Sequence, residues 1–308
     1  MPERVLVIGA GGFIGRALCS ALLEAGYEVR AASRAQHIPL PIGVETCLAD
    51  CKDPTRVVPL LKGCHSIVYL AATSTPGSSA GQALAELDGN LRPLLALLEA
   101  LQSHAELPLL YFSSAGALYG DNKLAPHKES DLATPKSYHG ASKVAAEYYI
   151  RAWACQYGGA ATVLRPSNVY GPGQPQRAGF GIVPNAYGAM LRDEVLTVWG
   201  DGTAVRDYLY IDDLVALALA SLKQPMTDGI KVFNVASGES ASLNELFALM
   251  ETVSGRALRR QYDRGRAVDV DRMEIDCTAA RDYFNWTAHV SLADGLERTW
   301  RWLNTTPQ

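Results

Sequence analysis

The sequence predicts a doubly wound α/β fold, a parallel sheet with a smaller α/β lobe, and three observations carry the prediction. Val5-Leu6-Val7-Ile8 is a short continuous apolar run of the kind buried on both faces of a parallel sheet. It runs directly into Gly9-Ala10-Gly11-Gly12-Phe13-Ile14-Gly15, after which residues 16–25 have helical spacing and stop at Gly26. Further short apolar runs then alternate with helix-length segments, the order of a sheet with helical crossovers. At 308 residues the chain can bury one large core or two lobes. The expected division is 1–167 plus about 207–239 for the sheet domain, and about 168–206 plus 240–308 for the lobe.

Taken in order, the first strand, turn and helix have the context that a dinucleotide fingerprint requires. Glycines permit a tight turn and a close backbone approach, and the helix N-terminus faces the pyrophosphate. A second strand is expected over residues 27–32. An acidic residue at its end would bond the adenosine ribose of NAD, but the chain reads Ser33-Arg34. A hydroxyl and a guanidinium suit a 2′-phosphate, which tips the expectation toward NADP; the plainer alternative is a solvated arginine beside the adenine. Residues 44–48 lead into Ala49-Asp50-Cys51, a strand end suited to the adenine ring. Residues 67–70 lead into Ala71-Ala72, small enough to let the nicotinamide side pass. A long helix is predicted over about 80–104, carrying Asn90, with Leu91, Leu94, Leu95, Leu98 and Leu101 as its core face. A fifth strand over 107–112 delivers Ser113 and Ser114 at its carboxyl end, the edge where open parallel sheets bind ligands. Residues 214–222 and 242–254 read as amphipathic helices, the second opened by a Ser242/Glu245 capping box, and 291–303 as a closing helix.

These motifs, in this order, resemble the extended short-chain dehydrogenase/reductases of the nucleotide-sugar epimerase/dehydratase family, and most of all its UDP-glucose 4-epimerase branch. The resemblance rests on Gly9 to Gly15, Leu70-Ala71-Ala72, Phe112-Ser113-Ser114 with Tyr119-Gly120, and Ser142-Lys143. It continues through Arg165-Pro166 and Asn168-Val169-Tyr170-Gly171, then Gly200-Asp201-Gly202, Arg206-Asp207-Tyr208, Asp212-Asp213 and Phe233-Asn234-Val235, so that it spans nearly the whole chain. It implies a Rossmann domain, NAD or NADP as cofactor, and reversible epimerisation at C4 of a UDP-linked hexose through a 4-keto sugar. The cofactor residues it implies are Gly9, Gly12, Phe13, Ile14, Gly15, Ser33, Arg34, Asp50, Cys51, Leu70, Ala71, Ala72, Asn90, Ser113, Lys143 and Pro166. It also implies a homodimer through the helices around 80–104 and 138–158.

The expected centre is Ser114, His139 and Lys143. In the family a Ser or Thr at the position of Ser114 bonds the sugar 4-hydroxyl, a Tyr four residues before the Lys is the acid/base, and the Lys holds the nicotinamide ribose. This chain has His139 where that Tyr stands. Four residues make one helical turn, so His139 and Lys143 share a face, whereas Tyr138 lies about 140° around the helix from Lys143. An imidazole kept neutral by the neighbouring ammonium could accept and return a hydroxyl proton. Three readings stand side by side: His139 is a working base, the activity has shifted or been lost by divergence, or His139 is an introduced change.

On the substrate side, the resemblance places Thr73, in a loop that runs from Thr73 to Ser79, at the edge of the sugar, Asn168 at the phosphates, Arg206 and Arg266 on the pyrophosphate, and Val198 with the Gly200-Asp201-Gly202 turn near the nucleobase. The alternative for Arg266 is a surface salt bridge, because the usual Arg-x-Gly-Asp reads Arg266-Ala267-Val268-Asp269. Met273 falls where the family carries a residue that limits sugar size; its flexibility leaves N-acetylhexosamines open. Dehydratase relatives follow the Ser/Thr with an Asp-Glu pair, whereas this chain has Ala115-Gly116, which disfavours 4,6-dehydration.

Composition bounds the rest. A net charge of −4 without basic runs gives no support for a nucleic-acid or anionic-membrane partner. The six cysteines are scattered, with no C-x-x-C pair and no evident metal set, and no segment reaches the length of a membrane span, so a cytoplasmic protein with reduced thiols is expected. Two rivals to the epimerase remain: an NADPH-dependent reductase of a keto-sugar nucleotide, favoured by Ser33-Arg34, and a catalytically silent binding protein, favoured by His139.

Overall fold

The computed structural model describes residues 2–34, 38–121, 126–177 and 179–305. In chain order the strands are β1 (Arg4–Ile8), β2 (Glu28–Ser33), β3 (Glu45–Leu48), β4 (Ser66–Tyr69), β5 (Leu109–Phe112), β6 (Ala160–Pro166) and β7 (Asn168–Tyr170). They continue with β8 (Leu196–Trp199), β9 (Val205–Tyr210), β10 (Gly229–Val235), β11 (Ser240–Ser242), β12 (Arg260–Asp263) and β13 (Arg272–Met273). Seven of them form one parallel sheet in the order β10-β6-β5-β4-β1-β2-β3. The order reverses at β1, with β2 on one side and β4 on the other, which is the switch point where such sheets bind ligands.

Both faces of this sheet are covered because side chains alternate along each strand. Val5 and Val7 face one core with Leu18, Leu22 and Leu214; Leu6 and Ile8 face the other with Leu94, Leu97 and Ile150. All six residues of the two cores named from the flanking helices are fully buried. A second sheet, β11-β9-β13 with β7 paired to β9, and the two-stranded pair β12-β8 form the remainder.

The predicted strands are present with starts shifted by a residue or two. The first helix ends in a turn in which Gly26 adopts φ +87° and the Tyr27 N–H donates to Leu22 O, so Tyr27 closes the helix and β2 opens at Glu28. Leu107 N–H likewise donates to His104 O, leaving β5 to begin at Leu109.

The long helix expected over 80–104 is corrected. It consists of a short helix Ala83–Glu86, a π-helical turn Leu87–Leu91, a helix Arg92–Ala100 and a 3-10 turn Leu101–Ser103. Pro93 is the reason: it has no N–H to donate and its ring crowds the preceding turn. The widened turn carries Asn90, a placement typical of π-turns at functional sites. Leu94, Leu98 and Leu101 are buried as predicted, together with Leu97, while Leu91 and Leu95 are half-buried.

Candidate active site

A cleft of about 220 Å³ opens at the carboxyl ends of β1 to β4. It brings together Gly9 and Gly12 from the first turn, Ser33 at the end of β2 and Arg34 just past it, Asp50 and Cys51 past β3, and Leu70, Ala71, Ala72 and Thr73 past β4. Lys52, which the sequence reading passed over, also lines it and is ion-paired with Asp88. Two glycines are demanded by the chain's own packing. A Cβ on Gly9, whose φ is +99°, would lie 2.6 Å from Ala71 N, and one on Gly15 would lie 2.3 Å from Gly9 O. The floor of the cleft is therefore bare backbone. Phe13 and Ile14 turn their side chains into the core and can serve a ligand only through their backbone.

The second group of residues forms where β5 meets the helix Tyr138–Tyr157. Ser114 starts the short helix Ala115–Leu118, and its hydroxyl makes no hydrogen bond among the described residues. Ser137 caps the long helix by accepting from Gly140 N–H. Gly140 lets the two helices meet: a Cβ there would stand 2.2 Å from Ala117 O. Lys143 is buried and donates to Phe112 O at 2.7 Å. Burial lowers its pKa to about 8, against the opposing pull of Glu147 and Glu86. His139 is 7% exposed, and burial followed by the Lys143 charge lowers it to about 3, so the ring is neutral at ordinary pH. Tyr138 is 47% exposed and points away, in line with its angle around the helix.

His139 does not stand alone. Its Nδ1 lies 2.9 Å from Ser74 Oγ and 3.8 Å from Glu86 Oε1. Its backbone N–H donates to Ser79 Oγ at 3.2 Å. Asn90 Nδ2 donates to both Ser74 Oγ (2.9 Å) and Glu86 Oε1 (2.8 Å), while Asn90 Oδ1 accepts from Thr73 N–H (2.7 Å). Asn90 is thus occupied within the cluster. Ser113 is similarly committed: its hydroxyl donates to the buried Glu147 at 2.5 Å, so it can reach a cofactor only through its backbone. Pro166, at the buried end of β6, lies in the same strand as Arg165, which pairs with Glu147.

A smaller cavity beside this cluster is lined by Thr73, Ser74, Thr75, Ser78, Arg177 and Phe180. No carboxylate among the described residues pairs with Arg177. Sequence reasoning missed Arg177 and Glu86, since nothing local in the chain marks them, and placed Ser74 only within the loop expected to edge the sugar, without a role.

On the far side, Asn168 donates to Asp207 O at 3.0 Å and sits 3.8 Å from where a Gly116 Cβ would be, beside the turn that follows Ser114. Arg206 is half-buried, donates to Val205 O, and has its pKa lowered by burial against the pull of Tyr208, Asp269 and Asp271. Arg266 forms a two-bond salt bridge with Asp269, at 3.0 and 2.7 Å. It also lies 5.7 Å over the Trp199 ring and against Gly77 of the 73–79 loop. The side chain of Val198 is 1% exposed and packs in the core. Strand alternation turns the neighbouring Trp199 outward instead, at 44% exposed. Met273 is fully buried in a cluster that includes Ala115. All six cysteines are free thiols, and among the described residues no group of three or more His, Cys, Asp or Glu could hold a metal.

Residues 5–236 match the NAD dependent epimerase/dehydratase family. The chain belongs to that family. A UDP-glucose 4-epimerase of Mycolicibacterium smegmatis is 29% identical over 305 residues, 96% of this chain and 97% of that protein. Among solved structures, the UDP-glucose 4-epimerase of Thermotoga maritima with UDP-glucose superimposes with a TM-score of 0.92 at 30% identity, covering 98% and 99% of the two chains. The UDP-glucose 4-epimerase of Thermus thermophilus with NAD does so at 0.91 and 26% identity, over 99% and 100%. The glycine-floored cleft at the sheet's switch point, with cationic Arg34 and Lys52 on its rim, fits the nicotinamide dinucleotide that such a family requires. No helix among the described residues is long and apolar enough to cross a membrane.

Proposed function

We propose that this family member is a UDP-sugar 4-epimerase. The observation that carries the reading is the neutral, buried His139 on the same helical face as Lys143, within a fold that matches UDP-glucose 4-epimerases over its whole length. When bound, the dinucleotide supplies a hydride acceptor that later returns the hydride to C4 of the sugar. The cleft residues hold its pyrophosphate on the backbone of Gly9, Gly12 and Gly15. Lys143 contributes a positive charge beside the ribose, Ser114 a free hydroxyl for the 4-oxygen, and His139 Nε2 a base of the right size for one proton. Burial of the cluster keeps bulk water from the keto sugar. NAD follows from the family and the Thermus relative; Ser33-Arg34 keeps NADP in play, and binding titrations of both against Arg34→Ala decide between them.

We assign Arg206 and Arg266 to the pyrophosphate and Trp199 to the nucleobase face. The dinucleotide body is 1–167 plus about 207–239, and the lobe is about 168–206 plus 240–308, with that boundary running through β9. Exposed Leu84 (82%), Leu87 (50%), Tyr148 (68%) and Tyr149 (48%) lie on the two helical segments expected to pair, which supports a homodimer. Sedimentation that finds only monomer at micromolar concentration would remove it. Six unpaired thiols suit a reducing, cytoplasmic setting.

The sugar has a second reading, favoured by Arg177. A free guanidinium in a hydroxyl-lined cavity beside His139 suits a carboxylate at C6, and so a UDP-hexuronate. The deciding experiment is proton NMR of the protein with UDP-glucose, UDP-N-acetylglucosamine and UDP-glucuronate, each with NAD and NADP, with His139→Tyr run in parallel. Conversion to the galacto isomer without net cofactor change is expected of the native chain. Conversion by His139→Tyr alone would mean an epimerase scaffold that has lost its acid/base. Net oxidation or reduction of the cofactor would make it a reductase.

A further inference from the structure

The cluster around His139 holds one carboxylate to which the mechanism above gives no part. Glu86 closes the short helix Ala83–Glu86, is 3% exposed, and spends Oε1 on Asn90; its Oε2 is buried with no hydrogen-bond partner among the described residues. Buried carboxylates are normally satisfied on both oxygens, so a half-satisfied one beside a reactive ring calls for a role.

The hydrogen bonds define that role. Thr73 N–H can only donate, so the Asn90 atom facing it is Oδ1, and Nδ2 is the donor to both Ser74 and Glu86. Ser74 Oγ therefore already receives one hydrogen bond, and its contact with His139 Nδ1 can run either way. If Ser74 donates, the ring proton sits on Nε2 and the ring has no lone pair there. If Nδ1–H donates to Ser74, Nε2 is bare; it has no hydrogen-bond partner among the described residues. A negative charge 3.8 Å from Nδ1 favours the N–H dipole over the lone pair at that atom. Of the other charged groups nearby, Arg177 lines the adjoining cavity together with Ser74. Lys143 on the same helix opposes a ring proton, and Glu147 one turn further is held by Arg165 and Ser113.

We infer that Glu86 is the positioning residue of this centre: it fixes His139 in the Nδ1–H tautomer and supplies the compensating charge when Nε2 takes the proton of the sugar 4-hydroxyl. The inference rests on the reading of His139 as the base. In that step the O4–H bond would break and its electron pair would become the second C4–O bond, the C4 hydride passing to the nicotinamide that the cleft would hold. The proton stays on Nε2 until the reverse step returns both to the sugar. Glu86 thereby does for a histidine what no partner need do for a phenol.

The test is NMR of 15N-histidine-labelled protein loaded with NAD, the His139 signals being identified by their loss in His139→Gln, together with steady-state rates. The native chain is expected to show the Nδ1–H tautomer. Glu86→Gln, which keeps the shape and removes the charge, is expected to move His139 to Nε2–H and to lower kcat on the order of 100-fold with KM within about threefold. A native Nε2–H tautomer overturns the inference, as does Glu86→Gln with tautomer and kcat both unchanged. Should Glu86→Gln not fold, the native tautomer alone decides. A native Nδ1–H ring in a protein that converts no UDP-sugar would sustain the part of Glu86 and remove the epimerase reading.

Discussion

Two buried polar networks meet the helix Tyr138–Tyr157 about two turns apart, and they differ in one respect. Around Glu147 the carboxylate, the Arg165 guanidinium and the Tyr119 hydroxyl are all paired, although the His127 ring stacked on Tyr119 has no hydrogen-bond partner among the described residues. Arg165 grips the carboxylate through Nε and Nη2, Ser113 donates to it, Arg165 Nη1 donates to Tyr119 OH, and Tyr119 donates to Asn234. Around His139 the network is left open: among the described residues Glu86 Oε2, His139 Nε2 and the Ser114 hydroxyl have no hydrogen-bond partner. The closed network fixes the end of β5 against the helix; the open one keeps reactive atoms available on that fixed frame. A satisfied buried network contributes rigidity, whereas unsatisfied buried groups cost stability and are retained where chemistry needs them.

The sharpest way to break this contrast is to neutralise each carboxylate in turn. Glu147→Gln strands the Arg165 charge in the interior and is expected to cost about 3–5 kcal/mol, read as a loss of stability in urea unfolding. Glu86→Gln, with less to lose, is expected to stay within about 1 kcal/mol of the native chain. Equal losses in the two variants would show that the networks are alike. The junction between them is tested by Gly140→Ala, whose Cβ would meet Ala117 O at 2.2 Å. Overpacking there should cost about 1–3 kcal/mol and push the His139 turn away from the helix that Ser114 opens, lowering kcat more than it raises KM.

A smaller effect separates the networks by pH. Because the native ring is held near 3 while an unfolded histidine titrates near 6.5, the unfolded chain binds the extra proton below 6.5. Stability then falls as pH drops from 6.5 toward 3, and at pH 5 this loss is about 2 kcal/mol. His139→Gln should lack it, so the stability difference between pH 8 and pH 5 is expected to shrink by that amount; an unchanged difference would place the acid sensitivity elsewhere. Finally, Lys143 is lowered to about 8, so its charge is lost above that pH. Epimerisation is expected to fall tenfold per unit on the alkaline side, and a rate profile flat to pH 10 would show that this charge is not used.

Much of the molecule is legible in the chain itself. The apolar run Val5–Ile8, the glycines that follow and the turn at Gly26 specify strand, cradle and helix through backbone sterics that need no distant partner. The four-residue step from His139 to Lys143 places both on one face for the same local reason. These features set the fold class, the cofactor edge and the position of the unusual base. Other features arise only when distant segments meet. Ser74 reaches His139 across 65 positions, Glu86 across 53, and Arg266 comes against Gly77. The π-turn that aims Asn90, the commitment of Ser113 to Glu147 and the exchange of Val198 for Trp199 at the surface belong to the same class. Periodicity and turn chemistry report what each segment does alone; which lone pairs are spent and which stay free is decided by side chains that the sheet brings together from separate crossovers.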